Sequence, residues 1–326
     1  MIPFLSCDWG TSSFRLNFVN AENFSVIQSA GTNKGILVTY NHWIETLNAD
    51  SAARLSFYLS IINEQIAVIE EKAGRSLDGI PLLISGMASS SIGMKILPYH
   101  QLPFFTDGSD MLSEFIPQTP ECRHDTLLIS GVRSEDDVMR GEETQLIGMF
   151  TEVVNLPVDQ LFIFPGTHSK HIVVHGKQAV SFKTYMTGEF FDLLSKKSIL
   201  HAGLEEGDGL QARQAKESFE KAVREGSRSN LLNVCFKVRT NSLFDKLTKI
   251  ENYHYLSGLL IGAELGEIAH NDTIEIYLCC GAKLKVYYET ALEVLELKRV
   301  HSFSAEAVEK AAMTGQYKIY EKYSNQ

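Results

Sequence analysis

One pattern occurs twice in this 326-residue chain, and its recurrence limits what the chain can fold into. An apolar run at residues 2–7 leads to Asp8 and the turn Asp-Trp-Gly-Thr-Ser-Ser, after which FRLNFVN (14–20) alternates apolar and polar positions. Such alternation marks a half-buried strand. Near residue 166 the unit returns, with QLFIF (160–164), the turn Pro-Gly-Thr-His-Ser-Lys (165–170) and a second strand from His171. Two strand–turn–strand units, each built on a Gly-Thr turn, predict two related domains, and 326 residues leave room for two of about 150. The expected division is 1–152 and 153–326.

The segments between these units predict an α/β chain. From Trp43 to Lys72, Ile44, Leu47, Leu55, Phe57, Leu59, Ile62, Ile66 and Ile69 recur at three- and four-residue spacings, as in one long amphipathic helix or a broken pair, with Gly74 as its stop. PLLISGM (81–87) and TLLISGV (126–132) read as strands, and the Pro-, Gly- and aromatic-rich stretch 98–116 as an irregular excursion on the substrate side. GEETQLIGMF (141–150) reads as a helix whose first-turn acids complement its dipole. Residues 255–269 predict a buried helix with small residues for close packing, and TIEIYLCC (273–280) a strand that GAKL turns into a helix through about Leu295.

A formal net charge of -10 argues against a broad basic surface for nucleic acid or anionic lipid. Any phosphate must be held locally, by backbone N–H groups, a metal and a few cations. No apolar stretch approaches the roughly 20 residues that cross a bilayer, and MIPFLSCDWG carries no basic segment before its apolar residues, so cytoplasmic residence is expected. The five cysteines, without CxxC spacing, read as buried free thiols.

Four constellations carry chemistry. In CDWGTSS, Gly10 allows a tight turn, the N–H groups of Gly10, Thr11, Ser12 and Ser13 can point at phosphate, and Asp8 can hold a hydrated Mg²⁺. A plain hairpin uses the same residues for backbone reasons. In Arg140-Gly141-Glu142-Glu143, a carboxylate at a helix start offers the base that phosphoryl transfer to an alcohol needs. Taken alone, two adjacent acids at a helix start are better explained by dipole complementation or a helix cap. Gly166, Thr167, His168 and Lys170 read as a second phosphate-type turn with a cation attached, although a lone Gly-Thr-His turn is more often just a turn. After Cys280, the small residues Gly281 and Ala282 would let an adenine or ribose approach the main chain, although packing of helix on sheet asks for the same residues. Neither a GxxxxGK[ST] nor a GxGxxG string is present.

Together, DVMRGEETQLIG (137–148), FPGTHSKHI (164–172), YMTGEFFDLL (185–194) and LSGLLIGAEL (256–265) resemble the 2-dehydro-3-deoxygalactonokinase family over most of the chain. The resemblance implies two ribonuclease-H-like domains of the actin/hexokinase/Hsp70 type with an interdomain ATP cleft. It implies that Asp8, Gly10, Thr11, Ser12 and Ser13 form the first phosphate motif, with Asp8 on the metal; Gly166, Thr167, His168 and Lys170 form the second; Gly281 and Ala282 belong to the adenosine site. Aligned on Gly141 with the corresponding helix of glycerol and xylulose kinases, Glu142 takes the place of the base. GMASSSIGMK (86–95) is similar to the family's Gly-Met-x-Gly-Ser-x-x-Gly-Trp run, which implies that Gly86, Met87 and Ser90, with Arg15 and Arg140, contact the sugar acid.

Two positions depart from that run, Ser89 for glycine and Met94 for tryptophan. Met94 is either a pocket filler or core, and Lys170 reads as a solvated surface cation more readily than Arg140 does. The implied activity is ATP- and Mg²⁺-dependent phosphorylation of a 2-keto-3-deoxy sugar acid, 2-dehydro-3-deoxy-D-galactonate to its 6-phosphate. The implied partners are small molecules, with no nucleic acid or membrane, and a homodimer is allowed. Two alternatives stay open: a kinase of a neutral ketose or polyol, and an ATP-dependent sensor that phosphorylates no small alcohol.

Overall fold

Phe4, Leu5, Cys7 and Trp9 are all fully buried, which makes the first strand an interior one with neighbours on both sides. The computed structural model describes residues 2–153, 156–269 and 273–324. Their contacts divide the chain into two units, Met1–Asn155 with Lys177–Ser181 and Glu306–Gln326, and Leu156–Gly176 with Phe182–Ala305.

Unit 1 contains β1 (Pro3–Trp9), β2 (Phe14–Asn20), β3 (Ser25–Thr32), α1 (Ile36–Leu47), α2 (Arg54–Ala73) and β4 (Leu82–Gly86). It continues through the short strands β5 (His100–Gln101), β6 (Phe104–Phe105) and β7 (Ser113–Ile116), then β8 (Thr126–Ile129), β9 (Val132–Arg133), β10 (Val138–Met139) and α3 (Glu142–Met149). Its main sheet has the order β3-β2-β1-β4-β8-β7, while β10-β9-β5 form a small separate sheet. β1 runs antiparallel to β2 and parallel to β4, which is parallel to β8. The helical stretch foreseen at 43–72 is a broken pair. Asn48 ends α1 in the left-handed region at φ 49°, and Gly74 ends α2 at φ 65° with its N–H on the Glu70 and Glu71 carbonyls. Tyr58, Leu59, Ile62, Ile66 and Ile69 line the buried face of α2, in one core with Leu5, Cys7 and Leu16. Each such side chain contributes about 1.5–3 kcal/mol on burial.

Unit 2 contains β11 (Gln160–Phe164), β12 (Ser169–His175), most of β13 (Gln178–Tyr185), α4 (Thr187–Lys197), α5 (Arg213–Gly226), α6 (Leu231–Val234) and α7 (Phe236–Leu243). It continues with α8 (Lys249–Leu265), β14 (Glu275–Leu278), α9 (Ala282–Val294) and β15 (Val300–Ser302). The strand order β13-β12-β11-β14-β15 matches β3-β2-β1-β4-β8 of unit 1. The directions match as well, β11 being antiparallel to β12 and parallel to β14, which is parallel to β15. Both units thus have the ribonuclease-H-like arrangement. β13 begins in unit 1, where Gln178 and Ala179 pair with Phe105 and Phe104 of β6.

The helix foreseen at 255–269 starts earlier, because Thr248 and Glu251 form a reciprocal capping box ahead of it. Its small residues do pack closely. A Cβ at Gly258 or Gly262 would lie 2.4 or 2.3 Å from the carbonyl oxygens of Phe219 or Val223 on α5.

The expected assignment of 153–326 to a second domain needs correction at its far end. From Glu306 onward, α10 (Ala305–Ser324) belongs to unit 1. Two glycines bring it against α3: a Cβ at Gly315 would lie 1.9 Å from the Thr144 carbonyl oxygen, and one at Gly148 would lie 1.9 Å from that of Ala311. Beside this crossing, the fully buried Gln316 accepts from the Ser6 hydroxyl at 2.6 Å and donates to the Cys7 carbonyl at 2.9 Å and to Ser85 Oγ at 2.8 Å.

Replacing Gly315 with Ala must therefore push α10 off α3. Overpacking of this kind costs about 1–3 kcal/mol, and urea denaturation of Gly315→Ala should show a loss of that size with an unchanged slope. An unaltered midpoint would contradict the close helix crossing.

Candidate active site

In unit 1 the parallel strands β1 and β4 end together, Asp8 facing Ser85 and Trp9 facing Gly86 in register. The carboxyl ends of such strands are where α/β sheets bind ligands. Asp8 is 28% exposed there, with Arg15 NH1 4.0 Å from Oδ2. Burial pushes its carboxyl above the ordinary value; the Arg15 charge opposes the rise and the Glu142 charge adds to it. The turn that follows is closed by Gly10 N–H on the Ser13 carbonyl at 2.9 Å, and Gly10 O accepts from Ile36 N–H at 3.0 Å. Thr11 and Ser12 stay exposed.

Gly86 ends β4 at φ 85°, and a Cβ there would lie 2.8 Å from the Trp9 carbonyl oxygen, so only glycine fits. Met87 is half-buried, while Ser90 is buried with its hydroxyl on the Met87 carbonyl at 2.7 Å. Met94 is core, 1% exposed and packed with the apolar face of unit 1, which decides between its two readings. Sequence reasoning missed Arg54 of α2, which fixes the loop after β4 by donating to the carbonyls of Gly93 at 2.7 Å and Ser91 at 2.5 Å. An arginine near the start of an amphipathic helix gives no sign of such a target.

Glu142 and Glu143 separate cleanly. Glu143 is buried, and its two oxygens accept the Gly141 N–H at 2.8 and 2.9 Å, with the Thr144 hydroxyl at 3.1 Å from one of them. Glu142 is half-buried and is the residue whose charge reaches both Asp8 and Glu143. Arg140 is not a solvated cation. Its guanidinium donates to Ser89 Oγ at 2.6 Å and the Leu97 carbonyl at 3.2 Å, and lies 4.0 Å from the centre of the Tyr99 ring. Ser89 is thus the anchor of Arg140.

In unit 2 the Gly166–His168 turn rests on the first turn of α4. A Cβ at Gly188 would lie 2.4 Å from the Gly166 carbonyl oxygen, Glu189 N–H donates to the Thr167 carbonyl at 3.0 Å, and His168 Nε2 meets the Glu189 carboxylate at 2.5 Å. Thr167 and His168 are exposed. Lys170 is not a solvated surface cation: it is 4% exposed, its Nζ donating back to the His168 carbonyl at 3.1 Å.

Behind the turn lies a buried hub, Glu264 of α8, which accepts from Ser169 Oγ at 2.7 Å, His171 Nε2 at 2.9 Å, Tyr288 Oη at 2.7 Å and the Thr187 hydroxyl. Burial alone would push this carboxyl up, but the hydrogen bond and charge of His171, with the two hydroxyls of Thr187 and Ser169, outweigh it and bring it below the ordinary range. At the same end of the sheet, after β14, which runs parallel to β11, Gly281 caps α9, and Gly281, Ala282 and Lys283 are exposed, Lys283 pairing with Glu206 at 3.1 Å. The cysteines are free, and all but Cys235 are buried. Burial pushes the Cys280 thiol up to about 12.

A family model described as 2-keto-3-deoxy-galactonokinase matches residues 8–318. A probable 2-dehydro-3-deoxygalactonokinase of Rhizobium meliloti (strain 1021) is 30% identical over 301 residues, 89% of each chain. The 2-dehydro-3-deoxygalactonokinase of Escherichia coli (strain K12) is 32% identical over 66% of this chain and 71% of its own. The crystal structure of a Sinorhizobium meliloti protein assigned as a 2-dehydro-3-deoxygalactonokinase superposes with a TM-score of 0.77 at 25% identity, covering 98% of this chain and 99% of that one.

The burial of Glu143 has a consequence for stability. Desolvation, then repulsion from Glu142, lifts its carboxyl from 4.5 to about 7 in the folded chain. Between those values the folded protein holds a proton that the unfolded chain has released, so this group's contribution to stability falls as pH rises through the window. Thermal unfolding of Glu143→Gln across pH 5 to 8 should accordingly lose part of the wild-type decline; parallel curves for the two proteins would contradict the assignment.

Proposed function

Since the chain belongs to the 2-keto-3-deoxy-galactonokinase family, we propose that it transfers the γ-phosphoryl group of ATP to the 6-hydroxyl of 2-dehydro-3-deoxy-D-galactonate, with Glu142 as the general base. A sugar kinase of this kind does little covalent chemistry itself. It holds two anionic substrates in line, takes one proton and excludes water.

One observation carries the nucleotide part of this reading. Of the 23 glycines, nearly all are required by the protein itself, through a positive φ or through a neighbour a Cβ would strike. Gly166 and Gly281 are the exceptions: neither has a positive φ, and nothing lies within 4 Å of an added Cβ. At Gly10 an added Cβ would meet only ordinary contacts with Ser13, the nearer at 3.6 Å. These are the glycines of the two phosphate-type turns and of the adenosine motif. Close packing, the competing explanation for Gly281, finds no neighbour there. Close approach of a ligand to the backbone accounts for all three.

Within unit 1, Asp8 offers a carboxylate beside the exposed Thr11 and Ser12. No cluster of three or more potential metal ligands occurs among the described residues, but Mg²⁺ bound with a nucleotide asks only for one or two carboxylates, the rest coming from phosphate and water. Asp8 fits that role, and the ion would neutralise charge on the phosphates. Glu142 accepts the proton of the attacking hydroxyl while the bond from the γ-phosphorus to the ADP oxygen breaks. Arg140, held rigid by Ser89, Leu97 and Tyr99 two residues before the base, suits the substrate carboxylate; Arg15 is the exposed second cation. Gly86, Met87 and Ser90 complete the proposed sugar-acid contacts. In unit 2, Thr167, His168 and Lys170 with Gly166 take the second phosphate contact, and Gly281 with Ala282 the adenosine. The need for ATP puts the proposed reaction in the cytoplasm.

Gly166→Ala and Gly281→Ala should each raise the KM for ATP several-fold, by about 1 kcal/mol or more of lost approach, while leaving the thermal midpoint within about a degree. Unchanged ATP kinetics in both would remove the argument from these glycines. Coupled ADP release should be fast with 2-dehydro-3-deoxygalactonate and slow with ketoses and polyols, and Glu142→Gln should lower kcat by about 10²–10⁴. Turnover on neutral sugars alone, or a Glu142→Gln enzyme of normal kcat, would overturn the substrate or the base respectively.

A further inference from the structure

We propose that Glu143 is the positioning residue that aims Glu142, an inference that rests on Glu142 being the base. Viewed only as a sequence, Glu143 is a bystander or one more acid at a helix end. The structure gives it a specific task.

The backbone joint just ahead of α3 is Gly141, at φ 111° and ψ -39°. Glycine is needed there for its conformation, because a Cβ would meet only Gly86 Cα, at 3.6 Å. A glycine in that region is a soft hinge, since no side chain restrains it. Arg140 lies on one side of the hinge and Glu142 on the other, so any rocking moves the proposed carboxylate reader against the proposed base.

Glu143 removes that freedom from inside. Its carboxylate turns back two residues and takes the Gly141 N–H on both oxygens, while the Thr144 hydroxyl holds the carboxylate itself. The opposite side is braced by α10, where Gly315 sits against the Thr144 carbonyl so closely that no Cβ fits. The side chain is 1% exposed, so it cannot reach substrate and acts only through the backbone. Burying a carboxyl beside another acid is costly, and here the charge is not what the geometry uses. An N–H donor needs an acceptor oxygen, which a carboxamide also supplies. Glutamine should therefore hold the hinge and alanine should not.

The test compares wild type, Glu143→Ala, Glu143→Gln and Glu142→Gln in steady-state kinetics with ATP and 2-dehydro-3-deoxygalactonate, alongside urea midpoints and the pH dependence of kcat. Misplacement of a reacting group by about 1 Å costs on the order of 10²-fold. Glu143→Ala should lose about 10- to 100-fold in kcat with KM for ATP within about twofold, and Glu143→Gln should recover most of that loss and keep the acidic limb of the pH profile. If alanine prevents folding, Glu143→Asp takes its place with the same expected loss, its carboxylate being one methylene too short to reach the Gly141 N–H. A Glu143→Ala enzyme with wild-type kcat and only a lowered urea midpoint would reduce Glu143 to a helix cap and overturn the proposal, with the base unaffected. A Glu143→Gln enzyme as slow as alanine and lacking the acidic limb would make Glu143 the base instead. A Glu142→Gln enzyme of normal kcat would remove the base, and with it the object of the positioning.

Discussion

Gln316 contributes one side-chain amide, fully buried, and spends both ends of it on the two strands that carry Asp8 and Gly86. Left without partners, that amide would cost several kcal/mol in an apolar core, so the position of α10 is set by hydrogen bonding as well as by packing. From it follows the rest of the candidate site in unit 1. The amide ties β1 to β4 just behind Asp8 and Gly86. The Gly148 and Gly315 crossing, one residue away, presses the same helix against α3. Strand ends and helix start are therefore referred to one common element, and the distance from the proposed metal carboxylate to the proposed base does not depend on loops.

Two buried glutamates show how differently one side chain is used. Glu264 is surrounded by donors, three hydroxyls and an imidazole, and is held ionised as the centre of the network behind the Gly166–His168 turn. Glu143 has an N–H and a single hydroxyl and an acid for a neighbour, and its proton is released only near neutrality. The contrast follows from the count of donors around each carboxylate. In unit 2 the turn is fixed by a charge, whereas in unit 1 the helix start is fixed by an acceptor whose charge is incidental.

Much of the fold was legible because its signals are local. Alternation in FRLNFVN and the stop at Gly74 depend on neighbours in sequence, and β2 and the end of α2 fall where those signals put them. The doubled strand–turn–strand unit foretold the matching strand orders of the two units. What was not legible depends on partners far along the chain. Residue 316 answers to residue 6, Arg54 to a loop near residue 92, and Glu264 to Ser169, so no window of sequence contains both halves of any of these arrangements. The burial of Lys170 stayed hidden for the same reason: a lysine after a turn is usually solvated, and only the folded chain shows it turned inward. The adjacent acids at 142 and 143 were separable in principle by the 100° step of a helix, but which one faced inward needed α10, whose packing on α3 no local pattern announces.

The return of α10 to unit 1 also bears on how the protein is made. Ser6 and Gln316 are 310 positions apart, and at about 5–20 residues per second a ribosome needs roughly 15–60 s to bring the second into existence after the first. For that interval β1 and β4 wait with Ser6, the Cys7 carbonyl and Ser85 lacking their amide, and with no helix over α3. Unit 2 needs nothing translated after residue 305, since all its strands and helices precede that point. The half of the molecule that emerges first is thus the half that is finished last, and the nascent chain, rather than the mature enzyme, is where a change at residues 311–316 would first be felt.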